Sequence, residues 1–138
     1  MTDRYLFRGK RADNGEWVYG GIYHQPKDEV KDENFYIIGG SLNDVGCAYE
    51  VIPETVGQCT GLKDKNGKLI YEDDILIFTN DDGEKTPYEV QWSEKYAGYV
   101  IAMRNGAVDT MDGWDEYYQY FEIIGNIHDN PELLEVKE

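Results

Sequence analysis

The sequence predicts a mainly β protein, and three observations carry that reading. Tight-turn signals recur at Asn14-Gly15, Asn66-Gly67, Asp81-Asp82-Gly83 and Asn105-Gly106. Between them lie short apolar runs, some with a period of two. In "YEVQWS", Tyr88, Val90 and Trp92 alternate with Glu89, Gln91 and Ser93. Tyrosine is abundant, 12 against 4 phenylalanines, and suits half-buried strands with the ring packed and the hydroxyl in water. Short strands with turns every ~8–12 residues indicate a small barrel or sandwich.

In chain order, "YLFRGKRADNGEWVYGGIYH" reads as a hairpin, because Asn14-Gly15 supplies the positive φ angles of a two-residue turn. Residues 25–34 are polar, contain Pro26 and read as a loop. "FYIIGG" is a short apolar strand. "SLNDVGCAYEVIPETVGQ" is irregular apart from a brief strand at "YEVIP" that Pro53 ends. A subdomain boundary is placed there, giving an N-terminal β-rich subdomain at 1–52, built on the hairpin, and a core at 53–138. In the second part, "DILIFT", "YEVQWS", "GYVIAMR" and "FEIIGNI" read as strands. Two stretches suit helix: a turn or two in "DGWDEYYQY", and a short C-terminal helix in "NPELLEV", with Asn130 as N-cap and Pro131 at the first helical position.

A chain of 138 residues with 41% apolar content has enough to bury a core. The formal charge of −15 is uneven: residues 1–52 carry 6 basic and 9 acidic groups, residues 53–138 carry 7 and 19. Such a surface repels phosphate backbones and anionic lipid, which argues against a general nucleic-acid or membrane binder. Arg4, Arg8, Lys10 and Arg11 form the exception, read as a strand's solvated face or as partners of acids elsewhere. The N-terminal segment has no apolar run after its charges, and nothing approaches the ~20 apolar residues of a membrane helix. Cys47 and Cys59 lack Cys-x-x-Cys spacing and are expected to be free thiols of a soluble, cytoplasmic chain.

Few chemical motifs stand out. Aligning Gly83 or Gly113 with the invariant glycine of a calcium loop puts Phe78 or Val108 where an oxygen ligand belongs. His24 and His128 are distant in sequence and lack zinc-ligand spacing. No phosphate-binding glycine loop or nucleophile elbow is present. Catalytic, metal and cofactor residues are therefore expected to be absent. The aromatics offer a binding surface instead. Trp92, Tyr96 and Tyr99 flank one turn, and Tyr117 and Tyr118 lie in a later cluster with Trp114 and Tyr120. Exposed together they form an interaction patch; packed, they close a barrel end.

Three ordered stretches carry a resemblance that covers nearly the whole chain: "FRGKRADNGEWVYGGI", "VIPETVGQCTGLKDKNGKLIYEDDIL" and "FEIIGNIHDNPELL". They resemble the YopX family of phage and prophage proteins. The resemblance implies a mainly β fold with an SH3-like barrel core, a phage or prophage of a low-GC Gram-positive host, and no established activity. In similar sequences the bend before "ILIF" runs Tyr-Glu-Gly-Asp-Ile, so Asp73 stands where glycine is common. Asp73 is therefore expected in a left-handed or sharply bent conformation, with Asp74 bonding nearby backbone amides.

Three functions are weighed. The first is a non-enzymatic β-barrel module that binds another protein or its own copies. The second is an acidic DNA mimic that inhibits a host nucleic-acid enzyme. The third is a nucleic-acid-binding barrel, which the overall charge disfavours.

Overall fold

A computed structural model describes residues 5–30, 32–39 and 47–135. The chain divides into two compact units, residues 1–59 and 60–138.

In the first unit, β1 (Phe7–Lys10), β2 (Trp17–Gln25), β3 (Asn34–Gly39) and β4 (Ala48–Val51) form an antiparallel meander, with β5 (Gly57–Lys63) beside β1. The first hairpin turns at Asn14-Gly15, but through the four residues 12–15 inside the Arg11–Glu16 pair rather than through two, and Asn14 does not take the positive φ expected of it. Gly15 has φ 75, its N–H donates to the Arg11 carbonyl, and the Asn14 side chain accepts the Glu16 N–H. The loop read at 25–34 is shorter at both ends, since β2 takes in Gln25 and β3 takes in Asn34. β4 then returns to the end of β1: Ala12 N–H donates to Glu50 O, and Ile52 N–H to Lys10 O. This closure needs glycine at position 9, where a Cβ would lie 3.0 Å from Val51 Cβ. A 3-10 turn at Pro53–Thr55 follows, and Thr55 Oγ1 accepts the Lys10 N–H. Ile37, Val51 and Cys59 are buried here. Both cysteines are free, Cys47 exposed and Cys59 buried.

The far end of β5 lies in the second unit beside β6 (Leu69–Tyr71). β7 (Asp74–Thr79), β8 (Lys85–Ser93), β9 (Gly98–Ala102), β10 (Val108–Thr110) and β11 (Phe121–Asn126) form an antiparallel sheet in the order β10-β9-β8-β7-β11. One face carries the core: Leu76, Val90, Ile101 and Phe121, with Ile70 and Trp114 packed on it. Trp114 opens the one-turn helix α1 (Trp114–Tyr117), followed by a 3-10 turn at Tyr118–Tyr120. Its indole N–H donates to Lys63 O at 2.7 Å, which satisfies the polar edge of a buried ring. The opposite face buries Ile75, Val100 and Ala102. The C-terminal 3-10 segment Pro131–Glu135 packs against β8 and β11. Gly125, opposite Ile75, makes room for it, since a Cβ there would lie 2.5 Å from Asn130 Oδ1 and 3.0 Å from Leu133 Cδ1.

The chain is therefore mainly β, with two antiparallel sheets and a short C-terminal helical segment. Three strands differ from the sequence reading. β5 begins inside the stretch read as irregular; "GQCTGLK" has no alternation and two glycines, and it forms a strand because β1 and β6 flank it. β6 is three residues long, and β10, "VDT", is wholly exposed and exists as the return arm of the Asn105-Gly106 turn. The segment after Asn130 is helical from Pro131 as expected, but as a 3-10 helix; Val136 lies outside the described residues.

Gly20 offers a sharp test of the first unit. A Cβ there would sit 1.9 Å from the Ile38 carbonyl oxygen, across the β2–β3 ladder. Gly20→Ala is expected to cost about 3 kcal/mol or more, because a backbone atom cannot rotate away. Gly15→Ala, with open space and φ 75, is expected to cost about 1 kcal/mol. Urea unfolding of both variants gives the comparison.

Candidate functional site

The predicted aromatic residues fall into two groups. Trp92 and Tyr99 are cross-strand partners on β8 and β9, with ring centroids 5.2 Å apart and planes at 76°. They stand on the core face, two residues beyond Val90 and two before Ile101, where the packed interior runs out. Val90 is fully buried while Trp92 is 50% exposed. Tyr96 lies in the connecting turn, exposed, with Lys95 Nζ 5.5 Å from its ring. The structure brings these three to one end of the β8–β9 hairpin. Tyr99 is half-buried and joins the core, so it serves as the base of the patch rather than its surface.

Tyr117 and Tyr118 follow Trp114 on α1 and the 3-10 turn, and both are exposed. The Tyr117 ring lies over Gly113, whose φ of 73 starts the helix. Tyr118 borders a groove of about 490 Å³ together with Lys63, Asp64, Trp114 and Asp115. A third aromatic surface, which the sequence reading does not single out, is in the first unit. Tyr23, Tyr36, Ile38 and Ala48 line a shallow apolar hollow of about 370 Å³. Its signal was present in the spacing: Tyr23 and Tyr36 flank the 26–33 loop and face each other across β2 and β3.

The basic start does not form a phosphate patch among the described residues; Arg4 lies outside them. Arg8 is buried with its guanidinium 4.8 Å from the Trp17 ring centroid. Arg11 makes two hydrogen bonds to Asp13, at 3.0 and 2.7 Å, and stacks over Tyr49. The hydrogen bond from Arg11 holds the Asp13 carboxyl below its ordinary range.

The acidic bend behaves as expected in its backbone. Asp73 has φ 74, and Asp74, 2% exposed, accepts the Tyr71 N–H at 2.7 Å. The Asp73 side chain has an unforeseen partner: its Oδ2 lies 3.0 Å from His128 Nε2. Glu89 belongs to the same cluster. Burial, and then the charge of Asp73, push its carboxyl up, while Gln91 and His128 pull the other way. His24, in the first unit, pairs with Glu33 at 3.0 Å. Among the described residues no three or more His, Cys, Asp or Glu are arranged to hold a metal ion.

Another missed residue is Asp64, 2% exposed. Its Oδ1 accepts the Asn66 and Lys68 N–H groups, and its Oδ2 accepts the Ile123 N–H at 3.0 Å. An aspartate two residues before Asn-Gly is a legible Asx-turn signal; the reach to Ile123 is not.

The model of the family described as YopX protein matches residues 6–135. This chain belongs to the YopX family. It is 38% identical over 71 residues to the SPbeta prophage-derived uncharacterized protein YopX of Bacillus subtilis, a match that covers 50% of this chain and 52% of that relative. The match therefore spans about half the length of that curated protein. Two crystal structures share the fold. Protein EF1440 from Enterococcus faecalis has a TM-score of 0.57 at 24% identity, covering 93% of this chain and 96% of that one. Protein yopX from Bacillus subtilis has a TM-score of 0.56 at 23% identity, covering 94% and 98%.

Two predictions concern the bend of this YopX-family protein. Asp74→Ala is expected to cost about 1–2 kcal/mol, because it leaves a buried amide unpaired. A double-mutant cycle of Asp73→Asn with His128→Ala should return a coupling of about 0.5–1 kcal/mol in urea unfolding; a coupling of zero would make the contact energetically idle. Glu89 gives a pH signature. Its folded pKa is raised above the ordinary glutamate value of 4.5, so its contribution is favourable below that value and is lost as pH rises through the folded pKa. Glu89→Gln is expected to stabilise the protein at neutral pH, with the difference from wild type vanishing below about pH 4.5. Melting temperatures across pH 4 to 8 check this.

Proposed function

We propose that this chain is a non-enzymatic protein-interaction module, encoded by a phage or prophage and working in the cytoplasm of its bacterial host. The exposed end of the β8–β9 core face carries the reading. There Trp92, Tyr99 and Tyr96 present an aromatic surface continuous with the core, and an exposed tryptophan so placed suits a partner's apolar anchor. The prophage origin of the Bacillus subtilis relative supports the context. The strand order β10-β9-β8-β7-β11, with a 3-10 turn ahead of a last strand that returns to β7, supports an SH3-like core for the second unit. The His128–Asp73 pair is read as structural: the Asp73 end is held in the bend by backbone bonds on both sides.

The runner-up is an acidic mimic of DNA. It is favoured by one observation: residues 105–136 contain eight aspartates and glutamates and no lysine or arginine.

The test is affinity capture from the host with tagged wild type and Trp92→Ala. The wild type is expected to retain a specific protein that Trp92→Ala loses at an unchanged melting temperature. Retention by both would sink the Trp92 surface. Capture of a DNA-processing enzyme that duplex DNA displaces would favour the mimic.

A further inference from the structure

We propose that β10, the open edge of the second sheet, takes up an extended basic segment of a partner protein as an added strand. This rests on the reading of the chain as an interaction module and names the partner's chemistry.

The backbone comes first. β10 has one neighbouring strand, β9. Met103 N–H donates to Ala107 O at 2.7 Å, which makes 103 and 107 a hydrogen-bonded rung. Rungs of this kind recur every second residue in an antiparallel pair, so the next is Ile101 with Asp109. Val108 and Thr110 therefore turn their N–H and C=O groups away from β9. Among the described residues no backbone group pairs with them. The strand is exposed throughout and carries no proline, lysine or bulge; its shortness and the carboxylate of Asp109 are what guard it against unselective pairing.

Side chains then give the edge a preferred guest. On the core face, Trp92 sits opposite Tyr99. Met111, one residue past β10, packs with Tyr99 against the same core cluster. The apolar row Trp92–Tyr99–Met111 thus runs from the exposed hairpin end to the open edge, and an added strand would extend it by one residue.

Charge selects among guests. Asp109 and Asp112 are exposed along the edge, and no lysine or arginine occurs between Arg104 and Lys137. Asp109 pairs with Ile101, a core-face residue, which sets Asp109 on the core face of the sheet. A second copy of this chain, at −15, would bring Asp109 towards Asp109. Asp109 shares the face of the apolar row, so the preferred guest carries a basic residue opposite Asp109 and apolar residues beside the row on one and the same face.

The experiment uses the full chain and a synthetic peptide of about ten residues in which every second position is by turns valine and lysine and the positions between are threonine, with glutamate in place of lysine as control. Amide spectra are expected to shift at Val108, Thr110 and Tyr99 with the basic peptide only. Val108→Pro and Thr110→Pro remove outward N–H groups without touching the β9–β10 bonds. Each is expected to weaken binding about tenfold or more, with the amide pattern of β7, β8 and β11 unchanged. Asp109→Asn with Asp112→Asn should weaken it and flatten its salt dependence. The proposal is overturned if the proline variants bind equally, if the acidic peptide binds as well, or if sedimentation shows copies of this chain pairing through β10. Should the basic peptide fail to bind while Trp92→Ala still strips the captured host protein, the edge assignment falls and the interaction-module reading stands. Failure of both experiments removes both.

Discussion

The second unit turns on one left-handed residue. β6 ends at Tyr71 and β7 begins at Asp74, so the chain must reverse through Glu72 and Asp73. Asp73 does this at φ 74, a conformation that costs a non-glycine residue about 1–2 kcal/mol. Its surroundings offset the cost. Its N–H donates to Val90 O on β8, its carbonyl accepts the Ile127 N–H just past β11, and its carboxylate meets His128. The next residue, Asp74, accepts the Tyr71 N–H across the bend. At about 0.5–1.5 kcal/mol each, these bonds outweigh the strain. They also join the start of β7 to β8 and to the C-terminal segment, fixing where the last strand ends.

Asp64 plays the matching part at the other end of β11. Three backbone N–H groups converge on its buried carboxylate, two from the Asn66-Gly67 turn and one from Ile123. Lys65 N–H adds a bond to Phe121 O. A buried carboxylate is tolerable only when its lone pairs are filled in this way. Asp64, Asp73 and Asp74 thus hold backbone geometry. Acid content alone is a poor guide to a functional surface here, and the location of the remaining acids matters more.

That location is uneven. The basic residues of β1 and its turn are taken up by Trp17, Tyr49 and Asp13, which leaves little positive charge facing outward there. The stretch from Asn105 to Val136 has no lysine or arginine at all. An aromatic end and an open edge meet where this stretch enters the sheet. Apolar area supplies affinity in such a setting, and long-range charge chooses who arrives.

Local chemistry by itself determined the strand runs, the places of the Asn-Gly turns, the polar break between β2 and β3 and the helical stretches at Trp114 and Pro131. Each depends on nearest neighbours in sequence: period-two burial, positive φ at glycine, proline at a first helical position. The family resemblance pointed to the bend at Asp73 for the same reason, since a glycine position reports backbone geometry. Tertiary structure alone decided the rest. β5, β6 and β10 have no strand pattern of their own and exist because a neighbour supplies hydrogen bonds. Asp73 with His128, and Asp64 with Ile123, are 55 and 59 residues apart, so no spacing rule connects them. Trp92 and Val90 share one face of one strand and one alternation. Only the point at which the packed core ends makes one of them interior and leaves the other half in water.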